Sequence, residues 1–355
     1  MLAATGCRNK SAPEQGDPVT APLVQEATTP PPATVELDRA WLASYGALPE
    51  AFETPDNPLT EAKIALGRQL YYDKRLSKNQ ELSCNSCHML AQYGVDNQPT
   101  STGHKKQQGA RNSPTVYNAA GHLAQFWDGR SPHVEHQATQ PVLNPVEMAM
   151  ADEKAVLRVI SSIPEYVKAF AAAFPEDKSP ITYVNFGKAI GAFERKLVTP
   201  SRWDQFLGGD TAALTDDEKR GFATFTEVGC PTCHTGVNLG GHMFQKAGLV
   251  AAWPNQKDLG RYEVTKAEAD KLFFKVPSLR NVAKTAPYFH DGSVAGLNEA
   301  VKLMGRHQLG KELTEQQIFE ISTWLGALTG ALPAEYIQEP APYPSSKSTP
   351  KPDPR

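Results

Sequence analysis

Three features are scarce in this sequence, and each scarcity narrows what the protein can be. No apolar run reaches the roughly 20 residues that a membrane-spanning helix requires, so the sequence contains no recognisable span. The net charge is −3 at pH 7, and no excess of basic residues indicates nucleic acid as a partner. Alternating polar and apolar runs are few, so we expect little β-structure.

Cysteine is also scarce, and its placement leaves no pair for a structural disulfide. Four of the five cysteines lie in two strings of the form CxxCH, at Cys84, Cys87, Cys230 and Cys233. The fifth, Cys7, ends the string "MLAATGC", which resembles the end of a bacterial lipoprotein signal without its charged and long apolar parts. Two interpretations stay open: Cys7 is the acylated first residue of a shortened precursor, or it is a free thiol.

Composition divides the 355 residues into a folded body and two polar ends. The length predicts about two domains, and a hydrophobic content of 40% is enough for their cores. Proline-rich ends predict a signal remnant with a disordered tether at 1–36 and a flexible tail at 339–355. Between them we predict one domain at 37–200 and a second at 201–338, each with one CxxCH string.

Helical patterns dominate the body, and one of them occurs twice. Thr60 and Thr215 each stand before an amphipathic run as helix N-caps, and each run leads into a CxxCH string. This weak repeat predicts two similar modules. Further helices are predicted in the strings "PEYVKAFAAAF", "TYVNFGKAIGAFERKL" and "LTEQQIFEISTWLGAL". The other runs, rich in Pro, Gly and Asn, predict long ordered loops, which usually bind something.

The two CxxCH strings indicate the chemistry of the chain. A structural zinc site needs four ligands, whereas each string offers three and their histidines lie 146 residues apart. A thioredoxin-like thiol pair needs a βαβ context, which the sequence lacks. Covalent c-type haem uses every group, because two thiols bond the porphyrin and the adjacent histidine binds its iron. We therefore predict a mainly α fold with two cytochrome c-like helical domains, each enclosing a covalent haem, at His88 and at His234.

The sixth ligand decides whether an iron carries electrons or binds a substrate. For the haem of His234 we favour Met304, because it lies shortly before the last predicted helix, where small cytochromes c have their methionine ligand in a loop. Met243 is the alternative, although it follows His234 closely for a side chain that must reach the other face of the ring. Histidine and methionine together are typical of an electron carrier with a raised potential.

The sixth ligand of the first haem has several candidates. Met148 and Met150 are candidates but stand beside Glu147. His104 lies in a loop rich in Gly, Lys and Gln, where a histidine could act as a removable ligand. The alternative for His104 is an exposed surface histidine.

Seven strings, in this order, resemble the bacterial di-haem cytochrome c peroxidases over nearly the whole folded body. They are "CNSCH", "NSPTVYNAA", "AQFWDGR", "QATQPVLNPVEM", "CPTCH", "FKVPSLRNVAKTAPYFHDGSV" and "VKLMGRHQLG". The resemblance implies that His88 is the proximal ligand of a low-potential, peroxidatic haem, which His104 caps until the enzyme is activated. It also implies that Glu147 is the distal acid–base carboxylate, Gln137 its polar neighbour, and Trp127 the tryptophan between the haems.

The same resemblance implies roles around the second haem. His234 and Met304 would be the ligands of a high-potential haem that accepts electrons. Asn112, Thr285 and Pro287 would bind calcium at the domain interface, the last two through backbone carbonyls.

The implied activity is the reduction of hydrogen peroxide, H2O2 + 2 H⁺ + 2 e⁻ → 2 H2O, by a cytochrome-c peroxidase. The electrons would come from a small c-type cytochrome or a cupredoxin. Three alternatives are an electron-transfer di-haem cytochrome, a di-haem enzyme that oxidises a partner protein, and a haem-based sensor. The enzymes that build a tryptophan-derived quinone in a partner carry tyrosine where Met304 stands, so methionine favours the peroxidase.

Location and assembly follow from the haem type and the resemblance. Covalent haem is usually attached outside the cytoplasm, so we expect a periplasmic protein, tethered to the membrane as a lipoprotein if Cys7 is acylated. Relatives often dimerise, which makes a homodimer a candidate assembly.

Overall fold

The computed structural model describes residues 35–354. Cys7 and nearly all of the predicted tether lie outside these described residues. Within 35–354, no helix combines the length and the apolar character that crossing a bilayer would require.

Helices account for most of the regular structure, as the sequence predicts. Within 35–354 the α-helices are α1 (Arg39–Leu42), α2 (Glu61–Tyr72), α3 (Cys84–Cys87), α4 (Val134–Gln137), α5 (Gln140–Leu143), α6 (Glu153–Ser161), α7 (Pro164–Ala173), α8 (Tyr183–Glu194), α9 (Arg202–Leu207), α10 (Asp216–Val228), α11 (Tyr262–Thr265), α12 (Leu297–Leu309) and α13 (Glu315–Ala327). Two short strands, β1 (Phe244–Lys246) and β2 (Phe273–Lys275), pair antiparallel with Phe244 opposite Lys275. Long loops join these elements. Because helices far outnumber strands within 35–354, the predicted mainly α class with little β is confirmed.

Local capping explains where the main helices begin. The Thr60 hydroxyl accepts a hydrogen bond from the Lys63 N–H at 3.2 Å, and Thr215 accepts one from the Glu218 N–H at the same distance. In return the Thr215 N–H donates to the Glu218 carboxylate, and Thr314 caps α13 with a similar reciprocal pair. These bonds satisfy N–H groups that have no partner inside the helix. The predicted helices therefore form at the predicted positions.

α2 and α8 pack against each other in the first of two hydrophobic cores. Gly67 lies at their contact, where a Cβ atom would come within 1.9 Å of the Ala189 carbonyl oxygen. Glycine is therefore required for this close approach. Leu66, Leu70 and Phe193 are fully buried around it, and burial of each such side chain contributes about 1.5–3 kcal/mol.

α10 and α13 repeat this arrangement in the second core. Here Gly221 permits the approach, since a Cβ atom would lie 2.1 Å from the Glu320 carbonyl oxygen. Trp203 packs on Phe222 and Trp324, with ring centroids 4.9 and 5.5 Å away. In both cores the capped helix that precedes a CxxCH string meets a later helix. The division into two domains stays a prediction.

Residues 339–354 lie against the first core, although their composition predicts a flexible tail. The Tyr343 ring packs edge-on against Tyr166, with centroids 5.0 Å apart. The Arg75 guanidinium donates to the Tyr343 carbonyl oxygen at 2.8 Å and to Ser345 Oγ at 2.9 Å. Composition did not indicate these contacts, because they depend on donors about 270 residues earlier in the chain.

Candidate haem centres

One cavity of about 920 Å³ brings together residues that are far apart in the sequence. Its wall includes Cys84, Cys87 and His88 of the first CxxCH string. It also includes three side chains for which the family resemblance implies peroxide chemistry: Trp127, Gln137 and Glu147. Sequence patterns were enough to identify these residues, but their proximity depends on the fold.

Backbone carbonyls orient the His88 ring. Nδ1 lies 3.0 Å from the Pro114 carbonyl oxygen and 3.4 Å from that of Gly94. Burial lowers the pKa of His88, so the ring is neutral, and we assign the proton to Nδ1, which donates to these carbonyls. The lone pair is then on Nε2, which is the arrangement of a metal-binding histidine.

The two thiols beside His88 fit the covalent attachment of a porphyrin. Cys84 and Cys87 are half-buried, and neither forms a disulfide within the described part of the chain. Burial raises the pKa of Cys87 to about 11 and that of Cys84 further. Free thiols and an oriented imidazole are the donor set that a c-type haem requires, and the cavity beside them provides the space.

Glu147 stands between the large cavity and a second one of about 260 Å³, since it lines both. The Asn144 amide nitrogen donates to Glu147 Oε1 at 2.8 Å. Burial raises the pKa of the Glu147 carboxyl, and the nearby Arg130 charge and the Asn144 bond only partly oppose this. A carboxyl with a raised pKa can accept and return a proton nearer neutral pH than an ordinary glutamate.

His104 stands on a loop that is tied to Glu147. Its backbone N–H donates to the Glu147 carbonyl oxygen at 2.8 Å. The side chain does not line the large cavity, although the adjacent Gly103 does. His104 is only 5% exposed, so it is not a surface histidine, and its Nε2 has no hydrogen-bond partner among residues 35–354. Lys105 and Lys106 have φ values of 54° and 60°, in a left-handed region where the backbone of residues other than glycine is strained.

The second CxxCH string follows α10 directly. Gly229 ends that helix with φ 103°, a left-handed value that glycine adopts without strain. His234 Nδ1 lies 3.0 Å from the Leu239 carbonyl oxygen. Burial lowers the pKa of His234 to about 4, so this ring is also neutral, with Nε2 free for a metal.

Arg280 secures the loop that follows His234. Its side chain is fully buried, and Nη1 lies 2.6 Å from Asp204 Oδ2. Nε and Nη2 both donate to the Val237 carbonyl oxygen, at 3.0 and 2.8 Å. Burial opposes ionisation of Asp204, but the guanidinium outweighs it and holds the pKa of that carboxyl below its usual value. The buried pair thus joins α9 to the loop that follows His234.

The candidate methionine ligands differ in their surroundings. Met304 lies inside α12, not in a loop as in the small cytochromes c with which it was compared, and it is half-buried. Met243, just before β1, is also half-buried. Met148 and Met150 are 5% and 8% exposed and belong to the first hydrophobic core. The preference for Met304 stays a prediction.

Trp127 links the cavity to the segment that contains His290. The indole N–H donates to the Asn112 carbonyl oxygen at 2.9 Å, and the Asn112 N–H donates to the His290 carbonyl oxygen at 2.8 Å. Thr285 and Pro287 lie in the loop that leads to His290, and Pro287 follows a cis peptide bond. The backbone thus joins Asn112 to the loop of the other two predicted calcium ligands.

Three acidic side chains in the cavity wall, Asp128, Asp258 and Glu194, were not predicted from the sequence as site residues. Asp258 accepts a bond from Arg111 Nε at 2.6 Å, across 147 residues of sequence. Asp128 accepts a bond from Arg111 Nη1 at 2.5 Å, so one guanidinium joins both carboxylates. Glu194 ends α8 and also lines the cavity. Burial and the nearby Glu135 charge raise the pKa of Glu194 to about 8. An isolated acidic residue looks the same in sequence whether it is buried or exposed.

Comparisons with known proteins agree with this arrangement. A protein-family model described as "Di-haem cytochrome c peroxidase" matches residues 61–212. The chain is 44% identical over 317 residues to the cytochrome c551 peroxidase of Pseudomonas aeruginosa, covering 87% of this chain and 90% of that protein. It is 44% identical to the cytochrome c551 peroxidase of Nitrosomonas europaea, covering 85% and 88%.

The fold also matches a solved structure. The crystal structure of a MauG-like protein associated with microbial copper homeostasis superposes with a TM-score of 0.73 at 30% identity. The match covers 82% of this chain and 97% of that one. The likeness therefore extends over both CxxCH regions.

Proposed function

The chain belongs to the di-haem cytochrome c peroxidase family, and from that premise we propose that it reduces hydrogen peroxide to water at the cavity beside His88. The observation that supports this most directly is the position of Glu147. A buried carboxyl with a raised pKa opens onto the same cavity as the haem-attaching cysteines. An electron-transfer cytochrome has no need of such a group.

When bound at His88, the haem would supply an iron site for peroxide and the electrons for cleavage of the O–O bond. Glu147 would remove a proton from one peroxide oxygen and deliver it to the other, which leaves as water. Asn144 orients the carboxylate through its bond to Oε1. Gln137, in the same wall, would donate to or accept from the bound peroxide.

Electrons would enter at the other haem, which His234 and Met304 bind in this proposal. Trp127 would shorten the distance between the macrocycles, because its ring lines the peroxidatic cavity and its backbone carbonyl contacts β2 through the Lys275 N–H at 2.8 Å. The donor would be a small c-type cytochrome or a cupredoxin.

The holoprotein, with both haems attached, should oxidise reduced cytochrome c when peroxide is added. Two equivalents of donor should be consumed for each peroxide, because the reaction takes up two electrons. Stopped-flow absorbance of the donor measures this. Negligible turnover by a protein with both haems in place would identify an electron carrier instead.

We also propose that His104 is a removable ligand of the first haem and that reduction of the second haem releases it. In support, the buried Nε2 of His104 lacks a partner within the described range, and the adjoining lysines hold a strained backbone. Backbone strain and an unpaired imidazole both favour a second conformation of the loop, in which the imidazole binds the iron.

Electron paramagnetic resonance tests this activation step. The fully oxidised enzyme should show a low-spin first haem, which becomes high-spin in the half-reduced form. The variant His104→Gly should be high-spin and active without prior reduction, whereas His133→Gly, at an exposed histidine, should behave as wild type. A wild-type first haem that is already five-coordinate when fully oxidised would contradict the proposal.

Calcium at Asn112, Thr285 and Pro287 belongs to the same proposal. Residues 35–354 contain no group of three or more His, Cys, Asp or Glu side chains placed to bind a metal. The ion would therefore depend on amide and carbonyl oxygens, which suit calcium. Calorimetric titration of the chelator-treated holoprotein with Ca²⁺ tests the site.

Covalent haem supports a periplasmic location, and the resemblance supports a homodimer. The lipid anchor at Cys7 remains a proposal that rests on the string "MLAATGC". Mass spectrometry of the mature N-terminus tests the anchor, and sedimentation of the holoprotein tests the dimer.

A further inference from the structure

Lys275, in β2, is a buried cation without an acidic partner among residues 35–354. The residue is 6% exposed, and its Nζ forms one hydrogen bond, to His122 Nδ1 at 3.0 Å. No carboxylate in the described part of the chain pairs with it. Burial alone lowers the pKa of Lys275 to about 8. A buried ammonium group is costly unless an anion compensates it.

The partner of Lys275 adds a second free donor. An ammonium group can only donate, so His122 Nδ1 must accept, and the ring proton is then on Nε2. Burial, with the neighbouring Lys275 charge, lowers the pKa of His122 well below its usual value, so the ring stays neutral. Nε2 is buried and has no acceptor among residues 35–354. The pair therefore presents spare donors and positive charge but no acceptor, which is the chemistry of an anion site.

The surroundings of the pair indicate which haem lies near it. Gly241, in the loop after His234, has no side chain, and a Cβ atom there would come within 2.3 Å of the His122 ring. The Gly241 N–H donates at 2.8 Å to the carbonyl oxygen of Val276, the residue that follows Lys275. Neither member of the pair lines the cavity of the first haem. The second haem, attached through the string that ends at His234, is therefore the closer one.

We propose that Lys275 and His122 form an internal anion site that receives a propionate carboxylate of the second haem and thereby raises its reduction potential. The inference rests on the family's second haem, but not on peroxidase activity. A positive charge beside a haem stabilises the reduced form, which carries one positive charge fewer. The pair spans 153 residues of sequence, so it also joins the 122 loop to β2 around the cofactor.

A spectroelectrochemical titration of resting holoprotein, without peroxide, tests the proposal. The variant Lys275→Gln should shift the reduction equilibrium of the second haem about tenfold towards the oxidised form, which corresponds to about 59 mV for one electron. Lys275→Arg should keep the wild-type potential. Lys63→Gln is the matched control, because Lys63 is also buried but its Nζ bonds to Asn57 and to the Pro58 carbonyl oxygen just before α2. A wild-type potential in Lys275→Gln would overturn the proposal.

Resonance Raman spectra distinguish a propionate from a free anion. The propionate bending mode of the second haem should shift in Lys275→Gln and in His122→Asn. If the potential shifts while this mode does not, and added chloride or phosphate restores the potential, the anion comes from solution and the propionate assignment is wrong. If Lys275→Gln yields no holoprotein, His122→Asn decides, and an unchanged mode there would overturn the proposal.

Discussion

Replacing Glu147 by glutamine is expected to lower kcat for peroxide reduction by about 10²–10⁴-fold, the usual contribution of a positioned acid–base group. Glutamine keeps the size of the side chain and can keep the bond to Asn144, but it cannot accept the peroxide proton. The optical spectra and potentials of both haems should stay as in wild type. Steady-state oxidation of reduced cytochrome c, with haem content measured on the same sample, gives the comparison.

The pH profile gives a second readout of the same variant. The base form of Glu147 is the one that accepts a proton, so wild-type kcat should fall as pH drops below the pKa of that carboxyl. Because burial raises this pKa, the fall should begin at a higher pH than for an ordinary glutamate. The variant should lose this acidic limb. Glu153→Gln, at an exposed carboxylate in the first turn of α6, should change neither kcat nor the pH at which kcat falls. Wild-type turnover in Glu147→Gln would show that this carboxyl has no part in the mechanism.

Replacing Arg280 by methionine is expected to lower the free energy of unfolding by about 3–5 kcal/mol, the usual cost of leaving a buried charge without its partner. Asp204 would lose the guanidinium that keeps it ionised, and the Val237 carbonyl would lose both of its donors. The loop after His234 should loosen as a result. Guanidinium unfolding of the holoprotein, followed by far-ultraviolet circular dichroism, measures the loss.

Two further variants separate this effect from a general loss of an arginine. Arg220→Met breaks an exposed pair with Asp217 on α10, and such pairs contribute at most about 1 kcal/mol. The double variant Arg280→Met with Asp204→Leu removes both buried charges and should recover the part of the loss that comes from the unpaired carboxylate. If Arg280→Met unfolds at the same denaturant concentration as Arg220→Met, the buried pair is not a major support of this loop.

Features that depend on a few neighbouring residues were predictable from the sequence. Thr60 and Thr215 begin helices because a threonine side chain bonds to an N–H three residues later, and both caps are present. The mainly α class is confirmed because such local patterns add up along the chain. Family membership was likewise visible in short strings, and it is confirmed by relatives at 44% identity.

Features that depend on burial were less predictable. The Pro-rich composition of residues 339–354 indicated a flexible tail, whereas Tyr343 packs on the first core. Met304 was compared with loop methionines but lies within α12. The contacts of the tail depend on donors elsewhere in the chain, and the placement of Met304 depends on where α12 begins and ends. Composition contains neither kind of information.

The cofactor and its attachment can be inferred from sequence alone, because both thiols and the histidine of a CxxCH string occupy five consecutive positions. Which distant groups share a cavity or lose their contact with water depends on the tertiary structure. Glu147 faces the cavity of His88, Arg280 is buried against Asp204, and Lys275 meets His122. The physical reason is that the protonation state and energy of a charged side chain depend on its surroundings, and the whole fold creates those surroundings.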